Sequence, residues 1–181
     1  IACILMIAIL GYLGIHVLKR EVIFIDIAMA QIAALGSLLA VILFHVEEHG
    51  LLAYGFAFGT TVLASWFYSQ IGKKVKEIPH EAIIGVSYAI AAAAALFVLG
   101  LSTGADMHME HMLTGSILWA GWHDILICAI VFSLIGVLHI RFRNRFMCLS
   151  DRMEDTDRHE KSALWDFLFY VSMGLIITLT V

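Results

Sequence analysis

The sequence predicts an all-α, polytopic transmembrane helix bundle, and three observations carry that expectation. First, apolar residues make up 61% of the 181-residue chain and charged residues 14%, with mean hydropathy +0.93. A soluble domain sits nearer roughly half apolar and a quarter charged, so much of this apolar surface faces something other than water. Second, the apolar residues come in long runs such as AIIGVSYAIAAAAALFVLGL. About twenty such residues cross the hydrocarbon core as a helix. Lipid offers the backbone no hydrogen bonds, so the alternative is a closed barrel, whose strands would alternate polar and apolar; this run does not alternate. Third, the Lys and Arg residues fall on alternate loops.

Six spans follow, at roughly 1–18, 22–44, 51–71, 82–101, 120–138 and 163–181. Lys19 and Arg20 join the first two. Lys73, Lys74 and Lys76 join the third and fourth, and Arg141, Arg143, Arg145, Arg152, Arg158 and Lys161 join the fifth and sixth. These are all eleven basic residues, and the loops HVEEHG and STGADMHMEHMLTG have none. Because short basic loops stay on the cytoplasmic side, the three basic loops are expected inside. Trp66, Tyr68 and Trp165 then fall near the inner interface and Trp119 and Trp122 near the outer one, where amphipathic rings are favoured. Small-residue spacings at Gly55/Gly59 and Gly85/Ala89 suit close helix approach, although small residues are common in membrane helices anyway. The chain begins at Ile1 and stops at Val181, both inside apolar runs, which reads as one transmembrane domain over 1–181 cut at both ends. Cys3, Cys128 and Cys148 form no C-x-x-C pair, so neither a disulfide framework nor a zinc knuckle is indicated.

Asp26 is the residue most suggestive of chemistry. It is read as about two turns into the second span, where a carboxylate is costly and usually faces the bundle interior for a purpose. Met29, Ala30, Ala33 and Ser37 follow on the same helical side, a small, mildly polar path for a cation. The plainer alternative is a carboxylate near the interface that caps the helix or pairs with Lys19 or Arg20. Gln31 points elsewhere, towards a neighbouring helix. The outer loops hold His45, Glu47, Glu48 and His49, then Asp106, His108, Glu110 and His111. Imidazole with carboxylate suits zinc, iron or manganese. The pairs His45/His49 and His108/His111 have helical spacing, so a metal-collecting mouth competes with ordinary solvated loops. His123 and Asp124 read as an interfacial pair. His16 and His139 raise haem ligation, but no depth-matched pairing is evident from the sequence. The segment 139–162 is long and mixed in charge, so a surface helix meeting a cytoplasmic partner competes with a solvated linker. There is no G-x-x-x-x-G-K-[ST], so the chain cannot cradle ATP phosphates by a P-loop, and no nucleophile–base set is present.

The ordered motifs resemble the membrane permease family of the ABC importers for zinc, manganese or iron. GYLGIHVLKREVIFIDIAMAQIAALG resembles its opening signature, and IPHEAIIGVSYAIAAA its acidic-x-x-Ile-Gly segment. HMLTGSILWAGWHDI resembles its Leu-x-Gly-x-Ile-Leu stretch, and FRNRFMCLSDRMEDTDRHEKSALWDFLFY its cytoplasmic coupling segment with the next helix. The resemblance implies a homodimeric path between two permease chains, driven by separate cytoplasmic ATPase subunits and fed by an extracytoplasmic metal-binding protein. It implies a multi-pass protein of a bacterial or archaeal cytoplasmic membrane, non-catalytic itself, with further helices after residue 181 and with no resident cofactor beyond the transported divalent metal. Lipid is a partner; nucleic acid is not expected. It places Asp26 on the metal path and Arg145, Phe146, Asp151, Arg152 and Glu154 in the ATPase contact. One departure stands out: many members carry His four residues after the Asp, and here Ala30 occupies that position. That keeps open a permease of the same fold with a non-metal cargo. A membrane anchor or structural subunit of a larger complex, redox or otherwise, is a further alternative.

Cysteines introduced at Glu48 and Met109 are expected to react with an impermeant thiol reagent outside intact cells, and one at Lys74 to be protected. The reverse pattern would invert the orientation.

Overall fold

The structure is a computed structural model that describes residues 2–46, 50–74, 78–100, 121–150 and 159–180. The described residues form seven helices: α1 (Ala2–Lys19), α2 (Ile25–Phe44), α3 (Leu51–Lys74), α4 (His80–Gly100), α5 (Trp122–Arg141), α6 (Arg143–Ser150) and α7 (His159–Thr178). Four of the six expected spans are long and apolar enough to cross a membrane: Ile25–Phe44, Leu51–Ile71, His80–Gly100 and Trp122–Arg141. The first and last expected spans are shorter apolar helices, Cys3–Lys19 and Ala163–Thr178. The eight-residue α6 occupies part of the segment for which surface helix and linker competed.

Helices α2, α3 and α7 pack on one another, with α4 against α2, while α1 packs against α5 and α6. Their ends can be matched through individual contacts. Arg20 at the end of α1 reaches Asp166 near the start of α7. Ile23, before α2, reaches Glu81 at the start of α4, and His80 of α4 reaches the Tyr68 carbonyl near the end of α3. The helix ends that lead into the three basic connections therefore gather at one end of the bundle. Ile130, Leu134 and Val137 of α5, and Leu96 and Phe97 of α4, are exposed, as lipid-facing side chains would be.

Close approach is set by two glycines that the sequence spacing did not single out. A Cβ on Gly36 would meet the Thr60 hydroxyl, the Phe56 carbonyl oxygen at 2.9 Å and Ala57 Cα at 3.0 Å. A Cβ on Gly174 would meet Thr61 Cβ and Oγ1, each at 2.9 Å. These contacts seat α3 between α2 and α7. The expected Gly55, Gly59 and Gly85 instead have open space within 4 Å, and Ala89 is exposed, so those spacings mediate no packing among the described residues. Between membrane helices there is little hydrophobic driving force, so van der Waals fit and polar links decide affinity. Thr60 Oγ1 donates to the Ile32 carbonyl at 3.1 Å, joining α3 to α2. The Tyr68 hydroxyl pairs with Ser87 of α4. Tyr68 is fully buried, so it is an interhelical link rather than the interfacial ring expected from its position; Trp66 and Trp122 are exposed. Cys3 and Cys128 are free.

Gly36→Val is expected to destabilise the purified chain by about 1–3 kcal/mol, the usual cost of forcing extra atoms into a tight contact. Gly59→Val, with open space around it, should leave the thermal unfolding midpoint in detergent near the parent value. Equal midpoints for both variants would contradict the close approach of α2 and α3.

Candidate functional site

The turn between α1 and α2 presents the expected site. Helix α1 ends in a Schellman arrangement: Glu21 N–H donates to the Leu18 carbonyl and Val22 N–H to the Val17 carbonyl, each at 3.2 Å. Glu21 takes the left-handed position at φ 55°, usually reserved for glycine. Val17 and Val22, the pair that closes such a cap apolarly, are both buried. Four residues after Val22, Asp26 lies in the first turn of α2, which starts at Ile25, rather than about two turns into a helix. Its Oδ1 accepts the Ile27 N–H at 2.8 Å, and a carboxylate there also faces the positive end of the helix dipole.

The Asp26 side chain is exposed on the outside of this chain, while Ile25, Ala28, Met29 and Ala33 turn into the core. The expected common side of Asp26 with Met29 and Ala33 is therefore split: the carboxylate lies outside and those two side chains pack inside. Ala30 and Ser37 are half-buried, and so is Gln31, for which no side-chain hydrogen bond is present among the described residues. Arg20, one of the two basic residues expected as a partner of Asp26, donates from Nη1 to Asp166 Oδ1 at 2.7 Å.

At the other end, His45 is exposed and closes α2 in the left-handed conformation at φ 50°. His49, His108 and His111, with Glu47, Glu48, Asp106 and Glu110, lie outside the described residues, so the expected mouth is represented by His45 alone. Among the described residues no three His, Cys, Asp or Glu side chains come together as a metal site. Asp124 accepts the Gly121 N–H at 2.9 Å and so caps α5; it serves its own helix start.

The basic end holds a cluster that sequence reasoning did not assemble. His16 and His139 are both buried, and the rings of Tyr12 and Phe169 each pack edge-on against both. The two imidazoles thus converge on shared neighbours, contrary to the expectation from depth alone. His139 Nδ1 bonds the Ile135 carbonyl at 3.0 Å, and its other nitrogen faces Ser172 Oγ at 3.5 Å. Arg20 sits with Cζ 4.2 Å above the Phe169 ring. Of the expected ATPase-contact residues, Phe146 points inward: it is fully buried and stacks on His139 at 4.4 Å with an interplanar angle of 15°. Arg145 is exposed, its Cζ 5.2 Å over Trp165. Asp151, Arg152 and Glu154 lie outside the described residues. Asp166 was legible by the same test that singled out Asp26, a carboxylate inside an apolar run.

Fold and surface define an all-α, multi-pass membrane protein. The chain belongs to the ABC 3 transport family, the permease family of metal ABC importers, which it matches over residues 1–181. It is therefore an ABC transporter permease subunit, of a kind that leaves ATP hydrolysis to a separate subunit. No curated protein and no solved structure matches it.

Proposed function

We propose that this permease imports a divalent transition metal, zinc, manganese or iron, as one of two identical chains with the path between them. The observation that carries the reading is Asp26: the one charged side chain of α2, turned away from the chain's own core. An outward carboxylate in lipid is unfavourable, whereas one facing a second permease chain borders an aqueous route. Asp26 then offers a passing cation a hard oxygen ligand and the first negative charge at the start of α2. Ala30 supplies no imidazole one turn further, so additional ligands come from the second chain, from water or from the backbone. The α6 segment, with exposed Arg145 and the residues that follow, meets the ATPase subunit on the cytoplasmic side, and Phe146 anchors it from within. A metal-loaded binding protein delivers cargo to the outer face, where His45, His49, His108 and His111 add imidazoles to loops that carry acidic residues and no Lys or Arg. The bacterial or archaeal cytoplasmic membrane is the setting in which such binding-protein-fed import operates.

Ala30 favours one second reading, a permease of the same fold whose cargo is not a metal. Asp26→Asn separates the two. It keeps the side-chain volume and still offers an oxygen to Ile27 N–H, so the helix start survives. In the full-length reconstituted transporter, metal uptake should fall by roughly tenfold or more, since weakening even an outer partner of a metal ligand costs about 10–100-fold. Protein level should stay near normal. Unchanged zinc, manganese and iron uptake in Asp26→Asn would remove the metal role and leave a first-turn carboxylate.

A further inference from the structure

We propose that the Arg20–Asp166 ion pair and the His139–Phe146 stack together form a joint that carries movement of α6 to the turn presenting Asp26. The inference rests on the reading of α6 as the ATPase-facing segment, and it assigns positioning roles to four residues that touch neither cargo nor nucleotide.

The contacts form an unbroken sequence. Phe146 of α6 stacks on His139 of α5 and meets Trp165 of α7 edge-on at 5.3 Å. Arg145 covers the same Trp165. The next residue, Asp166, accepts Arg20 Nη1 at 2.7 Å, and Arg20 is pressed on Phe169 one turn along α7. Arg20 immediately precedes Glu21, the left-handed residue of the Schellman turn, and Asp26 opens the helix that follows. The turn has a second tie: Ile23 N–H donates to Glu81 Oε1 of α4 at 3.2 Å. It is thus held from α7 on one side and from α4 on the other, so displacement of α7 relative to α4 must reorient it.

The chemistry suits a stiff connection. Arg20 is 6% exposed, and a guanidinium this buried cannot part from its carboxylate without leaving a charge in a poor environment. Helix α7 is therefore bound to move with the turn. Flat stacking of Phe146 on an imidazole whose Nδ1 is held by the Ile135 carbonyl leaves little freedom to slip. A push on α6 therefore enters α5 and α7 together at their ends.

The test uses the full-length transporter with its ATPase subunits in liposomes, measuring uptake of zinc(II), manganese(II) or iron(II) per ATP hydrolysed. Asp166→Asn and His139→Ala should each lower that ratio by about tenfold, within the range by which coupling residues act at a distance. Asp166→Glu, which keeps the charge pair, and His139→Phe, which keeps a flat ring against Phe146, should stay within about twofold of the parent, as volume-matched replacements usually do. Parent-like ratios in both Asp166→Asn and His139→Ala would overturn the joint. So would variants that lose assembled complex on gel filtration while the surviving complexes keep the parent ratio, because that is what a merely structural cluster does. Deletion of residues 151–158 separates the underlying reading. If the deletion leaves the ratio intact, the continuation of α6 is not the ATPase contact. If it uncouples the transporter while Asp166→Asn does not, the docking reading stands and the joint alone fails.

Discussion

A buried guanidinium governs how this chain is organised at its basic end. Arg20 ends α1, and its charge is met by Asp166 from a helix that begins well over a hundred residues later. Lone buried ions are costly, so the two residues fix the distance between α1 and α7. The Phe169 ring covers the guanidinium and also meets His16 and His139, which draws α5 into the same corner. Phe146 completes the corner by stacking on His139, and through it α6 is attached to the bundle. The turn into α2 inherits its position from this arrangement, and Asp26 inherits its position from the turn.

Elsewhere the bundle relies on fit. Gly36 and Gly174 allow α3 to approach α2 and α7 to distances that no side chain would permit. Hydroxyls then bind helix to helix, as with Thr60 to the Ile32 carbonyl and Tyr68 to Ser87. These links matter more in lipid than their number suggests, since apolar surface gains little by leaving lipid for protein. The division is coherent for a transporter. Tightly packed helices form a body, and the ionic corner ties that body to α6.

The fold class was legible because lipid imposes simple rules on composition and run length, and the alternation of Lys and Arg located the helix ends to within a few residues. For α2 the error mattered: the Schellman turn extends to Val22, so the helix starts at Ile25 and Asp26 moves into its first turn. A hydropathy run cannot register such a cap. Gly55, Gly59 and Gly85 matched a small-residue spacing, yet Gly36 and Gly174 make the contacts, because spacing says nothing about which helix faces which. Tyr68 sat at the right depth for an interfacial ring, but a partner hydroxyl on α4 draws it inward. Phe146 was placed in the ATPase contact by the family resemblance, which carries no information on the tertiary stacking that buries it against His139. Arg20 was read as a topological charge and as an alternative partner for Asp26, and Asp166 was passed over although it lies in an apolar run; their pairing with each other exists only across the fold. The outer histidines lie mostly outside the described residues, so the site is legible chiefly at Asp26 and at the basic end.

The dependence of the basic end on one ion pair can be measured with a double-mutant cycle. Arg20→Met, Asp166→Leu and the double variant are compared by unfolding of the purified protein in detergent. Each single change breaks the pair and should cost about 3 kcal/mol, whereas the double change removes both charges and should be no less stable than either single. The account therefore predicts strong non-additivity. Additive losses, with the double variant destabilised by the sum of the singles, would contradict it.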